Sequence, residues 1–181
     1  DDGELQAGAP WPSPRFSDNG DGTVTDNLTG LMWLKDANCF GYRRWWEALD
    51  ATSDFNLNPS HFNCDFYDES NPAYSDWRMP NVNELESLLN AQQRYQFEWL
   101  TSQGFVKVQY YSGYWSSTAT PYGDKWTVQM TGVDSHIVND TEGHYYFLWP
   151  VRGGQVNAGD PAFPANIWRT GQRTSYHTGD D

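Results

Sequence analysis

Positive charge is what this sequence has least of. Against 24 Asp and Glu there are 11 Lys and Arg, giving a formal net charge of −13 at pH 7 and a pI near 4.4. Nucleic-acid phosphates and anionic membrane surfaces repel a chain of that sign, so neither is expected as a partner. Long apolar runs are missing as well, and none approaches the roughly 20 residues that cross a bilayer. The opening Asp1-Asp2-Gly3-Glu4 lacks the basic and then apolar composition of an export signal. The expectation is a piece of a longer exported protein whose signal lies upstream. Histidines are few and dispersed, at His61, His136, His144 and His177. There is no Gly-x-Ser-x-Gly elbow and no Cys-x-x-Cys pair. The chain therefore reads as non-enzymatic, with no catalytic residues to nominate.

Rings are abundant instead. Aromatic residues make up 17% of the chain, with 10 Trp and 11 Tyr, while mean hydropathy is −0.79 and hydrophobic content only 38%. A core drawn from so few aliphatic residues must be built largely from aromatic side chains. With 181 residues the chain suits one domain plus terminal extensions.

From Arg15 to Asp26 the order is strand, turn, strand, because Asn19-Gly20-Asp21-Gly22 supplies positive φ between β-prone stretches. After a second turn at Asn27 to Gly30, Leu31 to Leu34 forms a third, mostly buried strand. Trp45, Ala48 and Leu49 suit a short helix with one buried face. Residues 51–75 are rich in Asn, Asp, Ser and Pro without a period, which predicts a long ordered loop. At Asn81 a helix is expected, with Glu84 completing a capping box and Val82, Leu85, Leu88 and Leu89 as its apolar stripe. A short helix from Phe97 to Gln103 is stopped by Gly104. Three strands follow, at 114–118, 125–131 and 144–152. In the second, Trp126, Val128 and Met130 alternate as one buried face; the third is apolar on both faces, with Pro150 near its end. The organisation is α+β: a lead-in at 1–14, a domain at 15–154, and a tail or linker at 155–181.

Two local features carry open alternatives. Cys39 and Cys64 lie 25 positions apart in irregular sequence, where a disulfide would clamp the region by about 3 to 4 kcal/mol; otherwise they are free thiols. In Asp18-Asn19-Gly20-Asp21-Gly22, oxygen ligands ahead of a glycine resemble a calcium loop. Asp18, Asn19 and Asp21 are the candidate ligands. The alternation is broken, however, since Ser17 takes the first ligand place and no Glu closes the loop, which favours a plain hairpin turn. No cofactor is expected, with calcium as the alternative.

Five ordered motifs together resemble one bacterial family: Phe16 to Trp33, Asp76-Trp77-Arg78-Met79-Pro80, Asn83-Glu84-Leu85, Tyr114-Trp115-Ser116-Ser117-Thr118, and Trp149-Pro150-Val151-Arg152-Gly153-Gly154. It is the Lcl C-terminal domain family, named for the C-terminal domain of a collagen-like adhesin, and the resemblance covers residues 11–154. It implies a C-type-lectin-like fold, with two short helices packed on twisted antiparallel sheets and long ordered loops. It also implies secretion or surface display, with adhesion or ligand binding as the activity. Glycosaminoglycan-type polymers are ligands of the named adhesin, but a net charge of −13 would repel a sulfated polyanion unless calcium or a local basic patch intervened. Formylglycine-generating enzymes use a related fold with reactive cysteines, and Cys39 and Cys64 match no such pair. Trp33, Trp77, Trp115 and Trp149 read as core rings, and Arg78 and Arg152 as ties between loops.

A ligand surface is expected in the late loops, at Tyr110, Tyr111, Tyr122, Asp124, Asp134, His136, Asn139, Asp140 and His144, whose flat faces and hydrogen-bonding groups suit a carbohydrate or a cell-surface protein. The alternative is a hydrated polar rim. In the tail, Ile167, Trp168 and Tyr176 cannot form a core alone. The closing Asp180-Asp181 repeats the opening Asp1-Asp2, so overlaid ends suggest a module repeated head to tail. Those three residues would then dock on a neighbouring copy, which makes a structural subunit of an extracellular filament the second reading. The alternative is a tail with no docking role.

Overall fold

The computed structural model describes Glu4, residues 9–68 and 74–131, the backbone of 137–140, and residues 143–153. Two sheets, three α-helices and a short 3-10 helix at Pro59–His61 stand out in the described part. The strands are β1 (Phe16–Asp18), β2 (Thr23–Asp26), β3 (Leu31–Leu34), β4 (Tyr42–Arg43), β5 (Gly113–Ala119), β6 (Lys125–Gln129), β7 (Ile137–Asp140), β8 (Tyr146–Phe147) and β9 (Val151–Gly153). The helices are α1 (Trp45–Leu57), α2 (Val82–Ser87) and α3 (Gln96–Ser102). The first sheet has the order β1-β2-β3-β9 and the second β4-β8-β5-β6-β7.

The early meander forms as its turns dictate. Asp26, fully buried, accepts from the Leu28 backbone N–H at 2.9 Å and the Thr29 hydroxyl at 2.9 Å, closing the turn before β3. Gly22 has φ +82°, and a Cβ there would overlap the Tyr67 backbone, so glycine is required where the first hairpin meets the loop after α1. The α2 capping box is present as expected: Asn81 Oδ1 accepts from the Glu84 N–H at 3.0 Å, and Glu84 Oε2 from the Asn81 N–H at 2.8 Å.

Four expectations need correction. The helix at Trp45 is not short: α1 continues for 13 residues to Leu57, because Ala51, Thr52 and Phe55 prolong the buried stripe of Trp45, Ala48 and Leu49. The long loop expected at 51–75 therefore begins only after it. The sheets are not wholly antiparallel, since β5 and β8 run parallel with Tyr114 opposite Phe147. Strand β6 buries Lys125 and Thr127 as well as Val128, because the second face is covered too, with the Lys125 ammonium 4.1 Å from the centre of the Trp45 ring. Lastly, residues 144–152 are not one strand. The chain leaves the second sheet after Phe147 and enters the first at Val151, and Pro150, which has no N–H for a ladder, lies in the break.

Trp149 occupies that crossing. Its indole N–H donates to the Leu34 carbonyl at 2.7 Å, and its ring meets Trp33, Phe105 and Tyr114 with centroids 5.5, 5.0 and 5.2 Å away. Trp33, Trp77, Trp115 and Trp149 are all buried, as a core built from rings requires. Cys39 and Cys64 are bonded, with Cα atoms 4.6 Å apart.

Replacing Trp149 with Phe should destabilise the domain by about 2 to 4 kcal/mol, through the orphaned Leu34 carbonyl and the void left by the smaller ring. Urea denaturation followed by tryptophan fluorescence measures it, and a loss below about 1 kcal/mol would contradict the central role assigned to this ring. The Cys39→Ser, Cys64→Ser double variant should lose about 3 kcal/mol in the same assay.

Candidate ligand-binding surface

The motif residues are taken up by the scaffold. Arg78 and Val151 exchange backbone hydrogen bonds of 2.9 and 3.0 Å. On one side of that bridge the Arg78 guanidinium grips the buried Glu84 carboxylate with two bonds of 2.6 Å. On the other, Arg152 grips Asp76 at 2.6 and 3.2 Å while lying 4.0 Å over the Tyr74 ring. Both arginines therefore tie loops together. In the same way the buried Asp36 accepts from the Asn38 and Asp65 N–H groups, each at 3.0 Å, and from Lys107 Nζ at 2.9 Å, joining the disulfide loop to the segment before β5.

The candidate calcium ligands are similarly engaged. Asp18 accepts from Lys35 Nζ at 2.6 Å and from the Gly20 N–H at 3.0 Å, and the Lys35 bond is the first reason that its carboxyl lies below the usual range. Asn19 bonds the Thr23 and Thr25 hydroxyls. Asp21 accepts from the Thr23 N–H and hydroxyl and from the Tyr74 hydroxyl. These side chains hold the hairpin to itself and to its neighbours. Among the described residues no group of three or more His, Cys, Asp or Glu could hold a metal ion.

The expected ligand residues fall at two ends of the second sheet. Tyr111, 90% exposed, precedes β5, and Tyr122, 93% exposed, follows it in the β5–β6 hairpin. A seven-residue strand lies between them, which places them roughly 20 Å apart. Asp124 belongs to the Tyr122 end, in a turn closed by the Thr120 N–H donating to its carbonyl at 2.8 Å. His144 is exposed and, because β8 runs parallel to β5, lies at the Tyr111 end. Asn139 stands opposite Trp126 on β7, near the Tyr122 end, and Asp140 opposite Lys125 beside it. Asp134 and His136 lie outside the described residues, as do Ile167, Trp168 and Tyr176 of the tail. One continuous patch of all these residues is thus not what the strand order produces.

Besides Tyr110 and Tyr111, which were expected there, the Tyr111 end holds residues that the sequence reading passed over. Tyr110 packs on Phe97 at 4.6 Å and on Tyr111 at 4.2 Å, extending an aromatic line to Tyr95. Across the β4–β8 ladder, Tyr42 stacks on Phe147 at 4.0 Å. Next to it the Arg44 guanidinium lies between Trp46, at 5.6 Å, and Tyr145, at 5.2 Å. The available signal was the Arg43-Arg44 doublet, the only adjacent pair of cations in so acidic a chain.

Lys107 and Tyr114 make the domain sensitive to alkali. Hydrogen bonds to Asp36 and then Asp65 hold the Lys107 pKa above its usual 10.5, and burial pushes the Tyr114 phenol above its usual 10.0. Both groups keep their protons more tightly folded than unfolded, so their contribution is complete below about pH 10 and is lost as pH rises through the folded values. The expected result is a Tm independent of pH from about 8 to about 9.5 that falls steadily above about 10.5. A Tm still flat at about pH 11.5 would contradict both assignments.

The domain just described is also recognisable by comparison. No curated protein matches the chain. The family model described as the Lcl C-terminal domain matches residues 22–152, well over half of the 181 residues, and its span runs from the first hairpin to the Arg152–Asp76 tie. The chain belongs to the Lcl C-terminal domain family.

Proposed function

We propose that the chain is a non-enzymatic, surface-displayed or secreted module that binds a ligand and serves adhesion, on a C-type-lectin-like variant of the α+β architecture. The family match supports a surface-associated domain. A disulfide clamping an irregular loop suits an oxidising, extracellular setting. No helix among the described residues is long and apolar enough to cross a membrane.

The observation that carries the reading is how the side chains divide. The motif tryptophans, arginines and carboxylates are consumed by the core and by ion pairs, whereas large rings, Tyr42, Tyr111, Tyr122 and Tyr145, stand exposed at the rims. Monomeric domains gain nothing in folding from rings held in water, while a binding surface gains apolar contact from them. The face at the Tyr111 end, with His144, is the proposed ligand surface, and carbohydrate or a cell-surface protein is the proposed partner class. Calcium is not required by this reading.

Screening the immobilised protein against a glycan array and a panel of extracellular-matrix proteins tests the proposal. Binding to at least one probe should weaken about tenfold or more in Tyr111→Ala and stay within about twofold in Tyr122→Ala, with Tm unchanged in both. Equal losses in the two variants would reject the assignment to one end of the sheet. The absence of any bound probe would reject the module reading.

A further inference from the structure

Among the described residues two that are not glycine have a left-handed backbone, Phe66 at φ +67° and Lys107 at φ +56°. That conformation costs free energy in any residue with a Cβ and more in a bulky one, so it persists only where the surroundings over-determine it. Here they do, because both residues belong to one knot. Cys64, two positions before Phe66, is bonded to Cys39, and the Asp65 N–H donates to the buried Asp36 carboxylate at 3.0 Å. Lys107 closes the knot by pairing with Asp36 and with Asp65, each at 2.9 Å. Beyond Phe66 the Asp68 N–H donates to the Asp21 carbonyl at 3.0 Å, and Gly22 leaves room for the Tyr67 backbone.

What this bracing holds out is an aromatic ring. Strain at a buried ring is repaid by burial, but Phe66 is 65% exposed and recovers little that way. Strain that folding does not recover marks a residue held for contact with something else. The chemistry around the ring says what that is. Lys35 Nζ lies 4.9 Å from the ring centre and 2.6 Å from the Asp18 carboxylate, so ring and carboxylate together hold one ammonium. In the knot and the hairpin beneath it, Asp18, Asp21, Asp36, Asp65 and Asp68 stand against Lys35 and Lys107, five carboxylates to two ammoniums. Asp18 and Asp65 are partly exposed and Asp68 is exposed. An acidic partner is repelled there, and an uncharged apolar pocket closing on the ring would strip water from the carboxylates without pairing them. A lysine or arginine brought over the outer face gains from the ring and from the carboxylates at once.

We infer that the Phe66 knuckle is a docking surface for a basic segment of a partner protein, with the outer face of the ring taking a Lys or Arg side chain. This surface belongs to the loop after α1, and its assignment stands independently of the reading made for Tyr111.

Fluorescence anisotropy at about 0.15 M salt, with a labelled arginine-glycine repeat peptide and its uncharged citrulline-glycine counterpart of equal length, tests it. The arginine peptide should bind at least about tenfold more tightly than the citrulline peptide. Phe66→Asn, whose side chain tolerates the left-handed backbone, should weaken it about fivefold or more with a Tm unchanged or raised, while Phe66→Tyr, which keeps a ring face, should stay within about twofold. If Phe66→Asn lowers the Tm, Phe66→Leu decides, since leucine keeps an apolar side chain without a π face; it should lose about threefold or more. Unaltered affinity in the deciding variant would mean that net charge alone attracts the peptide, and it overturns the inference. So do equal binding of the citrulline peptide, a loss in Phe66→Tyr as large as in Phe66→Asn, and no binding of the arginine peptide.

Discussion

The indole of Trp149 sits where the two sheets meet. Two residues on either side of it separate membership of one sheet from membership of the other, since Phe147 is hydrogen-bonded beside β5 and Val151 beside β3. The chain can make that crossing only if its backbone leaves both ladders. The polar groups freed there are met by the ring's own N–H on the Leu34 carbonyl and by the Leu34 N–H on the Pro150 carbonyl. Three ring contacts then surround Trp149, with Trp33 from the first sheet, Tyr114 from the second and Phe105 from the segment between α3 and β5. Each such pair is worth about 0.5 to 1.5 kcal/mol beyond the area it buries. The cross-bridge from Arg78 to Val151 follows directly after this junction, and β8, paired with β5, directly precedes it.

Electrostatics follows from scarcity. A chain with so few cations buries Asp26, Asp36 and Glu84, and spends Arg15, Lys107 and Arg78 on them. Removing the partner of a fully enclosed carboxylate such as Asp26 leaves an uncompensated charge in the core, which costs about 3 to 5 kcal/mol. Surface pairs such as Lys35 with Asp18 contribute far less.

Much of the scaffold was readable from local chemistry. The Asn-Gly-Asp-Gly turn, the Asn81 and Glu84 capping box, the cysteine pair and the four buried tryptophans each depend on residues close in sequence or on the plain insolubility of a large ring. Helix α1 was only half legible. Its second half is written in Asp, Ser and Asn, and what keeps it helical is Phe55, whose ring packs on Phe40, Phe62, Tyr67 and Trp77. The burial of Lys125 was not legible, because alternation marks one covered face and does not show that the other is covered too, here by the Trp45 ring.

The site was less legible still. Tyr111 and Tyr122 look like neighbours among late loops, yet a seven-residue strand runs between them. The order β4-β8-β5 brings Arg44 and Tyr145, about a hundred residues apart in the chain, to the same end as Tyr111. Side-chain types, turn signals and family motifs act over a few residues, so the amino-acid order alone determined the early meander, the capped helix at Asn81 and which tryptophans lie inside. Strand order and the parallel pairing of β5 with β8 depend on how distant segments share one core. It is that sharing which placed the exposed tyrosines at opposite ends and left an arginine among rings.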